Sequence, residues 1–165
     1  MLKRIVLVVV AVAVIVLVVA QFIRPPRNNS NDQSKHLSTL YPLPDSVQAI
    51  LTVACYDCHS NNTRYPWYAE IQPVGWWLND HIQHGKGDLN FSEFAAYRPR
   101  KQFRRLEQTA EMVKNNEMPL PAYTIIHKEA ILNDGQKQIL FSWVNAVRDS
   151  MKLHFPADSL KSRRR

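Results

Sequence analysis

Two cysteines and the histidine that follows them constrain this chain more than any other feature. Cys55 and Cys58 are the only cysteines in its 165 residues, and His59 follows the second directly. One pair cannot form a framework of several disulfide bridges. The Cys-X-X-Cys-His pattern is typical of covalent haem attachment, since two thiols one helical turn apart can each reach a vinyl group of one porphyrin. The adjacent imidazole can then bind the iron as the proximal ligand.

Three other interpretations of the cysteine pair are open at this point. A thioredoxin-like redox pair expects a preceding strand in an α/β domain, whereas the apolar residues before Cys55 have helical spacing. A structural zinc site would need two more ligands at matching spacing, and the chain has no second cysteine pair. The third is a chance match to a short pattern. Haem attachment is favoured because the first two alternatives lack the features they need, and because an N-terminal membrane anchor that exports the domain fits cytochrome maturation outside the cytoplasm.

The N-terminal apolar run predicts a membrane helix. Residues 5–20 are all Val, Ile, Leu or Ala, and the segment approaches the roughly 20 apolar residues that span a bilayer. It exceeds the roughly 7–15 apolar residues of a cleaved signal peptide, which is the alternative. We therefore predict an uncleaved signal-anchor over 1–24 in the cytoplasmic membrane of a bacterium. The haem motif predicts that the following domain lies on the periplasmic side, since c-type haem is attached outside the cytoplasm.

The rest of the chain predicts a mainly α fold after this single transmembrane helix. The polar stretch 25–39 has no apolar periodicity and predicts a flexible tether. Residues 40–155 predict one helical domain without a convincing strand, and 156–165 predict a basic tail. The predicted helices begin near Pro44, span 74–83 with Gly85 as a stop, span 101–115, and begin at Asn133 with Gln136 as a capping-box partner. The first of them has a predicted apolar stripe at Val47, Ile50, Leu51 and Ala54, and the last has one at Ile139, Leu140, Trp143, Val144, Val147 and Met151.

The net charge of +7 is matched by the charges at the two ends of the chain. These are Lys3, Arg4, Arg24, Arg27 and Arg163–Arg165. The body of the domain is therefore close to neutral. A basic groove for nucleic acid is not supported, and we predict no nucleic-acid partner.

Met118 is the leading candidate for the second axial ligand of the iron. It begins the sequence Met-Pro-Leu-Pro, where two prolines predict an extended loop between the third and fourth helices. A methionine opposite a histidine raises the reduction potential and favours electron transfer. The alternatives are a methionine that fills the core, and ligation by His81 or His127.

Aromatic side chains and one arginine are further candidates for the cofactor pocket. Trp67, Trp76, Trp77, Tyr65, Tyr68 and Tyr123 are expected either to wall a haem pocket or to fill an ordinary core. Arg64 could pair with a haem propionate, and a surface position is its default.

Several separated motifs resemble the haem-binding domain family of bacterial membrane-anchored, cytochrome c-like proteins. The motifs are CYDCHSN from Cys55, YPWY from Tyr65, IQPVGWW from Ile71, LNFSEF from Leu89, EMP from Glu117 with Tyr123, and His127 with Ala130. They occur in order over most of 40–155. The resemblance implies one covalent haem c, export and a cytochrome c-like helical fold, but no defined substrate. Gly135 departs from the helix formers expected near the start of the last helix.

These features predict a mono-haem c-type cytochrome that carries one electron between redox protein partners while tethered to the membrane. We predict a non-enzymatic haem protein in preference to an enzyme. The second hypothesis is a haem enzyme or gas sensor with an open sixth iron site. The third is a non-catalytic haem module within a larger complex.

Overall fold

The computed structural model describes residues 1–160, and Arg163–Arg165 of the predicted basic tail lie outside them. Within the described residues the α-helices are α1 Leu2–Ala20, α2 Asp45–Ala54, α3 Tyr56–His59, α4 Val74–Asp88, α5 Pro99–Lys114, α6 Pro121–Thr124, α7 Asp134–His154 and α8 Ala157–Leu160. Short 3₁₀ helices cover Leu37–Thr39, Trp67–Glu70, Phe91–Ala96 and Lys128–Ala130. Over the same residues, extended backbone pairs only in an isolated bridge between Asn29 and Asn62. The predicted mainly α fold is confirmed.

The N-terminal helix α1 stands apart from the domain. Its 19 residues are all apolar after the first few, and none of them is buried. Its mean hydropathy of 3.0 and its length allow it to cross a bilayer.

The main core, called the large core below, lies between α2, α5 and α7. Its buried side chains are Leu37, Val47, Ile50, Leu51, Leu89, Phe91, Phe94, Leu106, Val113, Leu132, Leu140, Trp143, Val144, Val147, Met151 and Leu160. The predicted stripe of α2 is buried at Val47, Ile50 and Leu51. In α7 the predicted stripe is buried except at Ile139, which is 41% exposed because it lies at the edge of the stripe.

The start of α7 follows the predicted capping box. The side chain of Asn133 accepts from the backbone N–H of Gln136, and the Gln136 side chain accepts from the N–H of Asn133, both at 2.9 Å. Two free N–H groups of the first turn are thereby satisfied. Gly135 sits inside this turn and does not displace it.

The helix α4 is longer than predicted. It continues through Gly85 to Asp88 instead of stopping at Gly85. Its buried residues Leu78 and Ile82 pack with Tyr68 in a second, smaller cluster, called the α4 cluster below. Glycine ends helices only where the backbone turns left-handed, and no glycine of the described residues has a positive φ.

The segment 25–39 is packed against the domain, unlike the flexible tether that its composition predicts. Asn28 is 6% exposed and Leu37 is fully buried. The Asn28 side-chain amide donates to the carbonyl of Ser60 and to the hydroxyl of Thr63, both at 2.9 Å. Polar residues here satisfy backbone groups of the loop after the haem motif, and composition alone does not distinguish this role from solvation.

Candidate functional site

Two cavities meet beside the Cys-X-X-Cys-His motif. Their volumes are about 230 and 490 Å³. Together they fall in the range of roughly 300–1,000 Å³ that is typical of small-molecule and cofactor sites. Both are lined by Ala54, Cys55, His59, Asp88 and Met118. Cys58 lines the smaller of the two.

The motif forms a single helical turn at the end of α2. Cys55 separates α2 from α3, and its backbone angles of φ −131° and ψ −44° break the first helix. The N–H groups of Cys58 and His59 then both donate to the carbonyl of Cys55, at 3.2 and 2.9 Å. This turn brings the two thiols and the imidazole to the same cavity wall.

Both thiols are held in their protonated form. Burial, followed by the neighbouring Cys58, raises the pKa of Cys55 to about 12. Burial, followed by Asp57, raises the pKa of Cys58 to about 11. Thioredoxin-like pairs depend on a lowered thiol pKa, so this environment disfavours that interpretation.

Nor do the described residues provide a zinc site. Among residues 1–160, no group of three or more His, Cys, Asp or Glu side chains converges closely enough to hold a metal ion. A closed structural zinc site needs four such ligands.

The imidazole of His59 is oriented by two backbone carbonyls. Its Nδ1 lies 2.9 Å from the oxygen of Gly85 and 2.9 Å from the oxygen of Leu89. Since carbonyls only accept, the proton is on Nδ1, and Nε2 retains its lone pair. Burial lowers the pKa of His59, which favours the neutral imidazole that binds metals.

Gly85 is a site residue that the sequence analysis missed. A Cβ at this position would lie 2.8 Å from the carbonyl oxygen of Cys58 and 3.4 Å from Cε1 of His59. A side chain would therefore push α4 away from the motif and disturb its carbonyl bond to His59. The signal available in the sequence was a glycine within an otherwise helical stretch.

Met118 lies in the loop between α5 and α6, as predicted. It is half-buried and packs against the large core while it lines both cavities. Its backbone N–H donates to the carbonyl of Met112 at the end of α5, at 3.2 Å. The structure thus brings Met118 to the same cavities as the motif, 63 positions earlier in the chain at Cys55.

The two alternative histidines have different surroundings. His81 lines the smaller cavity, and its ring lies 4.2 Å from that of Trp77. His127 lines neither cavity. Its Nε2 is 2.8 Å from the hydroxyl of Tyr68, and its Nδ1 is 3.1 Å from Glu129. Both ring nitrogens of His127 are therefore already engaged, which disfavours it as an iron ligand.

Of the six aromatic residues expected at the pocket, Tyr123 lines the smaller of the two cavities beside the motif, and the other five line neither of them. The hydroxyl of Tyr123 donates to Oδ2 of Asp57 at 2.7 Å. Burial and then this bond raise the pKa of Tyr123, so the phenol remains a donor. Arg64 also bonds to Asp57, with Nε 3.1 Å from Oδ1, and it lines neither cavity.

The tryptophans Trp67, Trp76 and Trp77 lie on the surface instead. Their exposed fractions are 72%, 38% and 44%. The expectation of a tryptophan-walled pocket is therefore wrong for these residues. The cavities are lined mainly by α4, α5 and the Met118 loop.

The helical fold and the cavities beside the Cys-X-X-Cys-His motif suit a haem-binding protein. Residues 15–146, most of the chain, match the model of a haem-binding domain family, and the chain belongs to that family. Searches of curated proteins and of solved structures gave no significant match.

Proposed function

We propose that this protein is a membrane-tethered, mono-haem c-type cytochrome that carries single electrons. One covalent haem c is attached at Cys55 and Cys58, with His59 and Met118 as iron ligands. The observation that carries the proposal is the convergence of two thiols, an imidazole and a thioether on adjoining cavities.

Attachment uses the two thiols as addition partners. Each S–H would add across one vinyl group, so that sulfur would bond to one vinyl carbon and the hydrogen would go to the other. No oxidant is needed, because the vinyl group is saturated by the added hydrogen and sulfur. The helical turn of α3 holds the second thiol next to His59, which suits both attachments to one ring.

His59 and Met118 would hold the iron, which would supply one-electron chemistry by alternating between its ferric and ferrous states. His59 offers Nε2 because its other nitrogen donates to Gly85 and Leu89. Hydrogen bonds of this kind fix the ring and raise its basicity as a ligand. Met118 supplies a soft thioether, which favours the ferrous state and raises the potential.

The apolar helix α1 supports tethering in the cytoplasmic membrane. Covalent haem attachment supports a periplasmic position for the domain.

A basic groove suggests the chemistry of a redox protein partner. A cleft of about 1160 Å³ is lined by Arg98, Arg100, Lys101, Arg104, Arg105, Arg148 and Lys152, with Glu107 and Glu111 as its acidic residues. Arg104 and Arg105 also line the larger cavity beside Cys55. The near-neutral body of the domain is therefore strongly asymmetric. An acidic partner docked here would lie next to the haem, and electron transfer to it would slow as salt is raised.

The attachment is tested by a pyridine haemochrome spectrum of the purified, denatured protein. Haem is expected to remain with the polypeptide, to persist through one thioether in Cys55→Ser or Cys58→Ser, and to be lost in the double variant. Haem that separates from the denatured wild-type chain would overturn the proposal.

The sixth ligand is tested by replacing each methionine that lines the larger cavity. Met118→Ala is expected to convert the low-spin ferrous haem to a high-spin form that binds carbon monoxide, whereas Met112→Ala keeps the wild-type spectrum. Met112 is the matched control because it lines that cavity from α5. A wild-type protein that is already high-spin and binds carbon monoxide would instead support a haem enzyme or gas sensor with an open sixth site.

A further inference from the structure

The residues that follow the apolar helix α1 are bonded to the domain and do not form a free linker. The side chain of Gln21, directly after α1, bonds twice to the backbone of Gln72, with its amide nitrogen 3.2 Å from the carbonyl oxygen and its oxygen 2.9 Å from the N–H nitrogen. The indole N–H of Trp76 donates to the carbonyl of Ile23 at 2.8 Å. The beginning of α4 is thus joined directly to the end of α1.

Two ion pairs strengthen the same junction. Arg24 and Arg27 both bond to the carboxylate of Glu70, one to each oxygen. Arg27 also lies over the ring of Tyr65, 4.9 Å from its centre. Five contacting residue pairs between 21–27 and 65–76 therefore set the domain at a defined place beside the end of α1.

Large apolar side chains are exposed around this junction. They are Trp67, Ile71, Val74, Trp76 and Trp77, with exposed fractions from 38% to 72%. We call these five residues the aromatic surface. By contrast, Trp143 in the large core is 7% exposed, and its indole N–H donates to the carbonyl of Pro42. Large exposed apolar side chains gathered within one short segment, 67–77, indicate an interaction surface.

The length of α1 places the aromatic surface at the edge of a bilayer. At 1.5 Å per residue, its 19 residues extend about 28 Å, which is close to the roughly 30 Å thickness of the hydrocarbon core. Gln21 and its partner Gln72 therefore lie at the boundary between hydrocarbon and headgroups. Tryptophan is enriched at that boundary because its ring is apolar and its N–H is polar.

The geometry points to the aromatic surface lying in the headgroup layer of the same membrane that α1 spans. Lipid is the occupant because none of the α1 side chains is buried by the domain, and the aromatic surface continues from the end of that lipid-facing helix. The inference rests on the membrane anchor of the proposed function. It adds that the domain is seated on the bilayer and is not free to swing on a tether.

Seating the domain also orients the cofactor site. The aromatic surface includes the first turn of α4, which begins at Val74. Gly85 lies 11 residues after Val74 on the same helix, about 16 Å away at 1.5 Å per residue. Because Gly85 touches the haem motif, the membrane contact and the site are joined by one rigid element. The basic groove on α5 and α7 lies on other elements and is available to a partner.

The test uses the full-length protein labelled with 5-fluorotryptophan in lipid nanodiscs, followed by fluorine NMR of the reduced form. Single Trp→Phe variants assign the four resonances. When some of the lipid is replaced by lipid with a nitroxide on its headgroup, the signals of Trp67, Trp76 and Trp77 are expected to be lost. The signal of Trp143 is retained and serves as the internal control.

Retention of all four signals in the presence of the spin-labelled lipid would overturn the seating. It would also be overturned if the Trp67, Trp76 and Trp77 signals were lost only when a spin-labelled soluble partner protein is added. Haem content and intact mass are measured on the same sample. If the three surface tryptophan signals are lost but no haem is attached, the membrane seating is supported and the proposed cytochrome function is refuted. If haem is attached but the signals are retained, the cytochrome function is supported and the seating is refuted. A mass that shows α1 to be cleaved would refute the anchor and the seating together.

Discussion

The two sides of the cavities beside Cys55 and His59 are built differently. On one side, the large core joins α2, α5 and α7 through a continuous set of buried apolar side chains. On the other side, the α4 cluster buries Tyr68, Leu78 and Ile82 among the described residues. Buried apolar area is the main source of stability, so the large core contributes far more than the α4 cluster does.

With so small a cluster of its own, α4 relies in part on the Cys-X-X-Cys-His motif for its position. The helix is held by the bonds of His59 to Gly85 and Leu89 and by the close approach of Gly85 to Cys58. Elements with few buried apolar contacts open more readily than the rest of a protein. A covalent cofactor between the two sides would supply the apolar contacts that the α4 side lacks.

The largest effect is expected from a cavity in the large core. Leu140→Ala removes a fully buried side chain and is expected to lower the free energy of unfolding by about 2–5 kcal/mol. Guanidinium unfolding of the full-length protein in detergent, followed by circular dichroism, measures the change. Leu153→Ala is the matched control, since Leu153 is on the same helix and 86% exposed. Equal losses in the two variants would contradict the importance of the large core.

The next effect concerns the contact between α4 and the motif. Gly85→Ala places a methyl group 2.8 Å from the Cys58 carbonyl oxygen, which is expected to destabilise the protein by roughly 1–3 kcal/mol and to reduce haem incorporation. Gly87→Ala has nothing within 4 Å of its new methyl and is expected to stabilise α4 by about 0.5–1 kcal/mol. The pyridine spectrum and thermal unfolding report the two effects. Equal behaviour of the two variants would show that α4 is not held by this contact.

A smaller effect is expected where the α6 segment meets the motif. Tyr123→Phe removes the bond to Asp57 and is expected to cost about 1 kcal/mol. Because Tyr123 follows the Met118 loop, amide hydrogen exchange over 118–127 should become faster. Tyr41→Phe, which removes a hydroxyl bond to Gln102 away from this loop, serves as the control and should leave exchange over 118–127 unchanged. Unaltered exchange in Tyr123→Phe would mean that the loop is held by its prolines alone.

The smallest effect is expected at the junction with α1. Glu70→Gln breaks the ion pairs with Arg24 and Arg27, whose side chains are about half exposed. Solvent screens such pairs, so the loss is expected to stay within about 1 kcal/mol and to shrink at high salt. Thermal unfolding at low and high salt measures it. A large loss of stability that does not depend on salt would contradict this expectation, because it would mean that the ion pairs are shielded from solvent.

Much of the helical architecture was predictable because it depends on local periodicity. The stripe of Val47, Ile50 and Leu51 and the capping box at Asn133 follow from side-chain spacing within one or two turns. The end of α4 was not predictable in this way. Gly85 is read locally as a stop, but its missing Cβ serves a contact with Cys58, 27 positions away in the chain.

The tether and the tryptophans show the same limit. Asn28 lies in a segment whose polar composition is typical of a linker, yet its amide is buried against Ser60 and Thr63. Trp76 and Trp77 are of the residue type that often walls a cofactor pocket, yet both are partly exposed on the first turn of α4. A polar or aromatic side chain can be either buried or exposed. Which of the two occurs depends on how segments distant in the sequence pack around it.

By itself, the sequence determined the haem motif, the apolar helix and the positions of the main helices, because each depends on residues a few positions apart. Only the tertiary structure brought Met118 to the cavities beside Cys55 and His59, placed two carbonyls on Nδ1 of His59 and joined α4 to the end of α1. These features depend on packing between distant segments, where the shape of one side chain, or the absence of one at Gly85, decides which groups can meet.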